Sequence, residues 1–222
     1  MTIGLESWFL NFTQLSRKAQ SPETLADVPK PFFEYAIWGL FKGAEFASLI
    51  GGCVAHPIYR IYLTKTLKPE NTTPNSSKII RAKCRALQGR FLLAGLVLGP
   101  TLAYAHAIND GMSFSEAQKK CYLIRCDNDG MTLDRSAVVC GLVGWYWKRF
   151  QGAVDGINVG IAYATLSSKI LSTYTNPVLQ NAVLPEERYE SVQEAAANRS
   201  RLTKFLSDLD KKSDNSDVSS EK

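Results

Sequence analysis

Four of the ionisable side chains within or near the ends of the long apolar segments are candidates for a functional role: Lys42, Glu45, His56 and His106. Ionisable groups in lipid are costly, and those that occur mark ion or substrate pathways or pair with a neighbour. Lys42 and Glu45 are three residues apart, so we expect them to meet on one helical face. A polar transport path and simple pairing both remain open for that pair. For the two histidines, local hydrogen bonds near helix ends are the simpler interpretation.

The sequence contains no pattern that predicts a catalytic centre. The only histidines, His56 and His106, are far from any cysteine cluster, which excludes a four-ligand zinc pattern. No phosphate loop or nucleophile–base motif occurs. The glycines at 152, 156 and 160 do not form a dinucleotide fingerprint, because the GxGxxG spacing and a preceding strand are missing. We therefore predict a protein that is not an enzyme and has no metal or cofactor.

Cys121 and Cys126 are the nearest pair among the five cysteines. A disulfide between them would require that this part of the chain faces an oxidising compartment. Separate thiols are the alternative, and the absence of a CxxC spacing favours it. The pattern by itself leaves both states open.

Four apolar segments organise the chain and predict an all-α protein. The stretch Phe91–Asn109 carries no charge and, at ~1.5 Å per residue, just spans a hydrocarbon layer of ~30 Å. Between it and the third segment, Asp110–Arg135 has the composition of a polar connection with a turn at Asn128–Gly130. The other three apolar segments are Glu34–Tyr62, Ser136–Trp147 and Gly156–Tyr174.

The two ends of the chain have the composition of tails. Trp8, Phe9, Phe12 and Leu15 would share one helical face, suited to a membrane surface or a partner protein. The C-terminal part combines a helix-like stretch with a final ten residues expected to be disordered. We predict an N-terminal amphipathic tail at 1–33, a four-helix membrane domain at 34–175 and a helical to disordered tail at 176–222.

Small residues recur every four positions in each apolar segment. Such residues share one helical face and make it flat, so that a neighbouring helix approaches closely. In lipid this close packing holds helices together, whereas in water each interior glycine costs ~1 kcal/mol relative to alanine. A tight soluble bundle is the alternative, but four such rows favour a membrane bundle. The predicted packing residues are Gly43, Ala47, Gly51, Gly95, Gly99, Ala103, Gly144, Gly152, Gly156 and Gly160.

Charge placement predicts the topology of the four spans. The connections after the first and third segments are basic, whereas the one between the second and third contains several acids. Basic loops remain on the cytoplasmic or matrix side, which places both termini on the opposite side. We expect the basic residues at the membrane surface, next to anionic lipid such as cardiolipin rather than nucleic acid. They are Lys78, Arg81, Lys83, Arg85, Arg90, Lys148 and Arg149.

Three stretches together resemble the Tim-type inner-membrane translocase superfamily, over roughly Trp38–Tyr174. They are Ser48–Arg60, Ile79–Gly99 and Cys140–Gly160, which combine glycine rows with basic turns. This superfamily includes preprotein and amino acid transporters and an accessory subunit of respiratory complex I. The resemblance implies four short glycine-rich spans in the mitochondrial inner membrane. It also implies a non-catalytic role among other membrane subunits, most simply as a complex I accessory or assembly component. The alternative is a component of a preprotein translocase or transporter.

Overall fold

The computed structural model describes residues 5–13, 25–66, 75–171, 174, 188–189, 192–198, 200–201 and 204–205. All regular structure in these residues is helical, which confirms the predicted all-α class. Leu15, most of the connection between the first two long helices and the final ten residues lie outside the described residues.

The described helices are named in chain order. The short helix α1 spans Leu5–Thr13, and α2 spans Pro31–Leu49. A π-helical segment, Ile50–Ala55, joins α2 to α3, which spans His56–Thr66. Helix α4 spans Ser76–Asn109 and α5 spans Phe114–Cys126. The helical segment Asn128–Leu166 comprises α6, before Lys148, and α7, after Arg149, and a π-helical turn follows at Ser167–Leu171.

Both long apolar helices begin before the segments predicted for them, and α2 itself ends at Leu49, before the predicted end at Tyr62. Helix α2 starts at Pro31, whose missing N–H and fixed φ suit the first turn of a helix. The basic stretch Lys78–Arg90 belongs to α4 and is not a loop before it. Helix α4 ends at Asn109, where Gly111 adopts φ 59° and the Met112 N–H donates to the Ala107 carbonyl at 3.0 Å. This left-handed residue reverses the chain toward α5.

The connection predicted between the second and third segments is largely helical. Helix α5 begins with a capping box, in which Ser113 and Glu116 each accept a hydrogen bond from the other's backbone N–H. The expected turn at Asn128–Gly130 is instead the start of α6. Asp127 caps it, because its carboxylate accepts the Gly130 N–H at 3.1 Å.

A tight reversal at Lys148 and Arg149 separates α6 from α7. Lys148 has φ −128° and ψ 17°, and Arg149 has φ 56° and ψ −139°. The Arg149 guanidinium lies 5.3 Å from the centroid of the Trp145 ring, a cation–π contact across the turn. The turn makes α6 and α7 an antiparallel hairpin.

Two helical stretches are long and apolar enough to cross a membrane: Pro31–Thr66 and Ser76–Asn109. The segment Asn128–Leu166 is not one of them, since its apolar stretches are short and charged residues adjoin them. Helix α2 packs along α4 and also contacts α5 and α6, while α7 lies against α4 and the π-helical segment. The hairpin of α6 and α7 thus packs beside the α2–α4 pair.

Both tails have described parts that pack on the helical body. Trp8 and Phe12 of α1 stack on Phe41 of α2, with ring centroids 5.9 and 5.4 Å apart. Phe9 remains exposed, so the predicted common aromatic face is divided. In the C-terminal part, residues 192–198 are helical and Ala195 is buried in a cluster with Tyr122 and Cys126 of α5.

Candidate functional site

Three charged side chains meet between α2 and α6. The Lys42 Nζ atom lies 3.1 Å from Glu45 Oε2 and 2.5 Å from Asp134 Oδ1. The predicted pairing of Lys42 and Glu45 is therefore present, with Asp134 as an additional partner. Glu45 and Asp134 are buried and Lys42 is partly exposed. Because the two carboxylates are buried, they interact strongly with the ammonium group of Lys42 and with each other.

A second ion pair joins α2 to α5 on the same side of the bundle. The Arg125 guanidinium donates to both carboxylate oxygens of Glu34, a bidentate contact with Nε at 3.0 Å from Oε2. Its Nη1 atom donates to the carbonyl oxygens of Leu25 and Asp27, at 3.2 and 3.1 Å. Both charged side chains are about 4% exposed. Their opposite charges compensate each other, and the hydrogen bonds to Glu34 and the two carbonyls replace those lost to water.

Arg135, next to Asp134 in α6, makes a third contact between helices, with α1. Its Nε and Nη2 atoms donate to the carbonyl oxygens of Phe12 and Asn11, both at 2.7 Å. These carbonyls end α1, where the last turn of a helix lacks internal donors and carries partial negative charge. Arg135 thereby fixes the C-terminus of α1 over α6.

Two cavities lead toward the cluster of Lys42, Glu45 and Asp134. An open cleft of about 820 Å³ is bordered by α2, α4 and the α6–α7 hairpin, and Lys42, Glu45 and His106 are among its lining residues. A second cavity of about 290 Å³ between α2, α5 and α6 is lined by Lys42, Asp127 and Asp134. Lys42 thus lies between the two cavities.

The two predicted polar histidines lie apart from this cluster. His106 is exposed, and its Nδ1 atom lies 2.9 Å from Asp110 Oδ2, one helical turn later in the chain. This is the local hydrogen bond expected near the end of a helix. His56 is half-buried at the start of α3, immediately before Pro57.

The small-residue rows of α2 and α4 lie face to face. A Cβ atom added to Gly43 would lie 2.6 Å from the Cα atom of Gly99, and one added to Gly39 would lie 2.5 Å from the Ala103 Cβ atom. Gly95 faces Ala47 and the Gly43 carbonyl in the same way. Farther along, Gly51 abuts the Phe91 side chain, at 2.7 Å from an added Cβ. The two helices therefore approach backbone to backbone.

The hairpin of α6 and α7 uses the same kind of contact. An added Cβ at Gly144 or Gly152 would overlap the backbone of the other residue, and one at Gly156 would overlap the Cys140 carbonyl. At Gly160 it would lie 2.5 Å from the Ser136 carbonyl oxygen. Ser136 also donates its hydroxyl to the Gly160 carbonyl at 3.1 Å.

The hairpin is attached to α2 at the π-helical segment. Asn158 of α7 donates its side-chain amide to the Ser48 carbonyl at 3.1 Å, next to the start of this segment. A Cβ at Gly52 would overlap that amide. π-Helical turns shift backbone partners and recur at functional sites. Here the shift accompanies a side-chain contact between helices.

The predicted surface basic residues are all exposed and lie at one end of the bundle. Gly89 of α4 contacts Phe150, which follows the α6–α7 turn, at 3.2 Å from an added Cβ. This contact brings the basic part of α4 next to the Lys148–Arg149 turn. The exposed residues are Lys78, Arg81, Lys83, Arg85, Arg90, Lys148 and Arg149. The Glu34–Arg125 pair and α5 lie at the other end of the bundle, near the N-terminus of α2.

Cys121 and Cys126 are buried in different clusters and are not joined by a disulfide. The Cys121 thiol donates to the Pro31 carbonyl at 3.1 Å. Burial, reinforced by the nearby Glu34 carboxylate, raises the pKa of Cys121 to about 12. Burial also raises the pKa of Tyr122 to about 12. Both groups therefore remain neutral at physiological pH.

Within the described part of the chain, no three His, Cys, Asp or Glu side chains are grouped closely enough to hold a metal ion. Asp134 is the site residue that the sequence analysis missed, because it was counted in a polar connection. Its position two residues before the third apolar segment was the signal that could have identified it.

Residues 8–167 match the model of a protein family described as "Protein of unknown function (DUF1757)". The chain belongs to this family. No curated protein matches the chain. The matched residues include α2, α4 and the α6–α7 hairpin, and hence both the charged cluster and the facing glycine rows.

Proposed function

We propose that this protein is a non-catalytic, multi-pass subunit of a mitochondrial inner-membrane complex, most simply a complex I accessory or assembly component. Four helices would span the membrane: α2 with its π-helical extension, the apolar part of α4, α6 and α7. The loop at Lys148–Arg149 and the basic part of α4 would face the matrix, and both termini would face the intermembrane space.

The observation that carries this proposal is the distribution of side chains between inside and outside. Large apolar residues such as Phe46, Val97 and Leu102 are 63–67% exposed. The buried residues of α2 and α4 are mostly small or polar, with polar groups such as Ser48 and Gln88 among them. A water-soluble protein rarely exposes such a broad apolar surface, whereas a lipid-facing bundle requires it.

Three further features support the membrane arrangement. Two helices are long and apolar enough to span, and the glycine rows lie in backbone contact between neighbouring helices. The basic residues lie at one end, as the positive-inside tendency requires. That end would bind anionic headgroups such as those of cardiolipin. The specific assignment to an inner-membrane complex rests on the resemblance to the Tim-type superfamily.

The alternative is a component of a preprotein translocase or transporter. The cleft of about 820 Å³ beside Lys42 and Glu45 favours it, because transport paths place ionisable side chains along water-accessible cavities. The exposed apolar surface favours the first proposal, because neighbouring subunits or lipid would cover it.

Carbonate extraction of mitochondria followed by native-gel mass spectrometry tests the proposal. We expect the protein to remain in the membrane pellet and to migrate with complex I or its assembly intermediates. Depletion should then reduce complex I while preprotein import continues. Co-migration with an import complex and loss of import would establish the alternative. Release into the soluble fraction would overturn both.

A further inference from the structure

We propose that Glu45 and Asp134 bind one proton between them at neutral pH, held against the ammonium group of Lys42. This inference goes beyond the proposed function, because it rests on the burial and charges of three side chains. It holds for a subunit of any complex.

The first step is the charge of the cluster. Lys42 contacts two carboxylates, so the fully ionised group carries one excess negative charge. Glu45 is 7% exposed and Asp134 is 4% exposed. An uncompensated charge is expensive to bury, and a buried acid with a like-charged neighbour binds a proton instead.

The second step is an unsatisfied atom. Glu45 Oε2 accepts a hydrogen bond from Lys42, whereas the buried Oε1 atom has no hydrogen-bond partner among the described residues. Asp134 is held beside Glu45 by the same Nζ atom. A proton transferred from hydronium to Oε1 releases water and creates an O–H donor. The Asp134 carboxylate, which contacts the same Nζ atom as Glu45, would accept this hydrogen bond, and the cluster would become neutral.

The third step is the set of neighbouring charges. In α5, Arg125 is bound to Glu34 of α2, and in α6, Arg135 is bound to carbonyls of α1. His106 of α4, which lines the cleft, is paired with Asp110. Asp127 lines the cavity beside Asp134 and adds negative charge. None of these described contacts supplies a second cation to Glu45 or Asp134.

The cavities give the site access to solvent. The wide cleft reaches Lys42 and Glu45, and the smaller cavity reaches Lys42 and Asp134. A proton can therefore exchange with water without unfolding the bundle. The site is a buried proton-binding carboxyl pair with two approaches.

Infrared spectra of the purified full chain in detergent, compared between the wild-type protein and variants of the cluster, test the inference. We expect a carboxylic acid C=O band at pH 7 that shifts in D₂O. Because Lys42 balances one carboxylate, the band should be lost in both Glu45→Gln and Asp134→Asn. In Lys42→Met the band should persist or grow, since both carboxylates then lack a cation. Absence of the band in the wild-type protein, or its persistence in both acid variants, would overturn the proposal.

A thermal comparison of two glutamates on α2 provides a test that does not rely on spectral assignment. Glu45→Gln resembles the protonated side chain, so Tm at pH 7 should be unchanged. Glu34→Gln leaves Arg125 without its anion, so Tm should fall. An equal decrease of Tm in the two variants would show that Glu45 is ionised and would contradict the inference.

Discussion

Gly43 and Gly99 bring the backbones of α2 and α4 into contact, so that a Cβ atom on Gly43 would lie only 2.6 Å from the Gly99 Cα atom. No side chain fits between the two helices at this point. The same relation recurs between Gly144 and Gly152 in the α6–α7 hairpin. The helices therefore meet through backbone atoms at these points, while many large apolar side chains of the same helices are exposed.

Replacement of Gly95 by leucine should force α2 and α4 apart. The added side chain would meet Ala47 and the Gly43 backbone, and overpacking costs ~1–3 kcal/mol or more. Thermal unfolding in detergent should show a lower Tm. Ala94→Leu is the matched control, because Ala94 is the exposed neighbour on the same helix. Equal Tm values for the two variants would argue against close helix packing.

The Glu34–Arg125 pair should behave as a single buried unit. Removing one partner leaves an uncompensated charge, so Arg125→Met or Glu34→Gln alone should cost ~3–5 kcal/mol. The double variant should be more stable than the sum of the two effects predicts. A double-mutant cycle on thermal unfolding measures this coupling, and simple additivity would show that the pair contributes little.

Cys53 distinguishes a lipid-facing surface from a water-facing one. Its side chain is exposed on the π-helical segment within a candidate span. Since thiolate is the reactive form and does not form in hydrocarbon, a hydrophilic maleimide should label Cys53 slowly in lipid nanodiscs. Lys119→Cys, exposed on α5, should label rapidly in the same sample, as read by peptide mass spectrometry. Comparable labelling rates at the two positions would place Cys53 in water.

The raised pKa values in α5 predict a loss of stability in alkali. The Cys121 thiol has a usual pKa of 9.0 and a folded pKa of about 12. The folded chain thus holds a proton that the unfolded chain loses above about pH 9. The stabilisation that the protonated Cys121 thiol gives to the folded state is complete below that pH. It falls as the pH rises toward 12, by ~1.4 kcal/mol per pH unit at most.

Tyr122, with a folded pKa of about 12, adds to this loss above its usual value of 10.0. The variant Cys121→Ala/Tyr122→Phe lacks both groups, so its Tm should fall less steeply between pH 9 and 12 than that of the wild-type protein. Parallel Tm curves would contradict the assignment. Comparison with the variant removes the background from other lysine and tyrosine side chains.

The Lys148–Arg149 turn should tolerate glycine and reject a β-branched residue. Arg149 adopts φ 56°, a region that favours glycine and strains branched side chains. Arg149→Val should therefore be ~1–3 kcal/mol less stable than Arg149→Gly. Both variants lose the same charge and the contact with Trp145. The difference between their Tm values therefore measures the cost of the positive φ angle at this position. Equal Tm values would mean that the turn relaxes without cost.

The all-α class, the small-residue rows and the Lys42–Glu45 pairing were readable from the sequence, because helical periodicity places residues three or four apart on one face. Helix boundaries were harder to predict from the sequence. The basic part of α4 and helix α5 read as loops because surface helices outside an apolar segment lack its hydrophobic pattern.

Contacts between distant residues were decided by the tertiary structure alone. Spacing on α2 predicts that Lys42 meets Glu45, but only the packing of α6 on α2 brings in Asp134 and leaves the cluster with an excess negative charge. The same holds for Arg125, which finds Glu34 across helices. Local sequence fixes which residues share a face, whereas the partner of that face depends on how the helices pack, and here that packing determines the charge of the site.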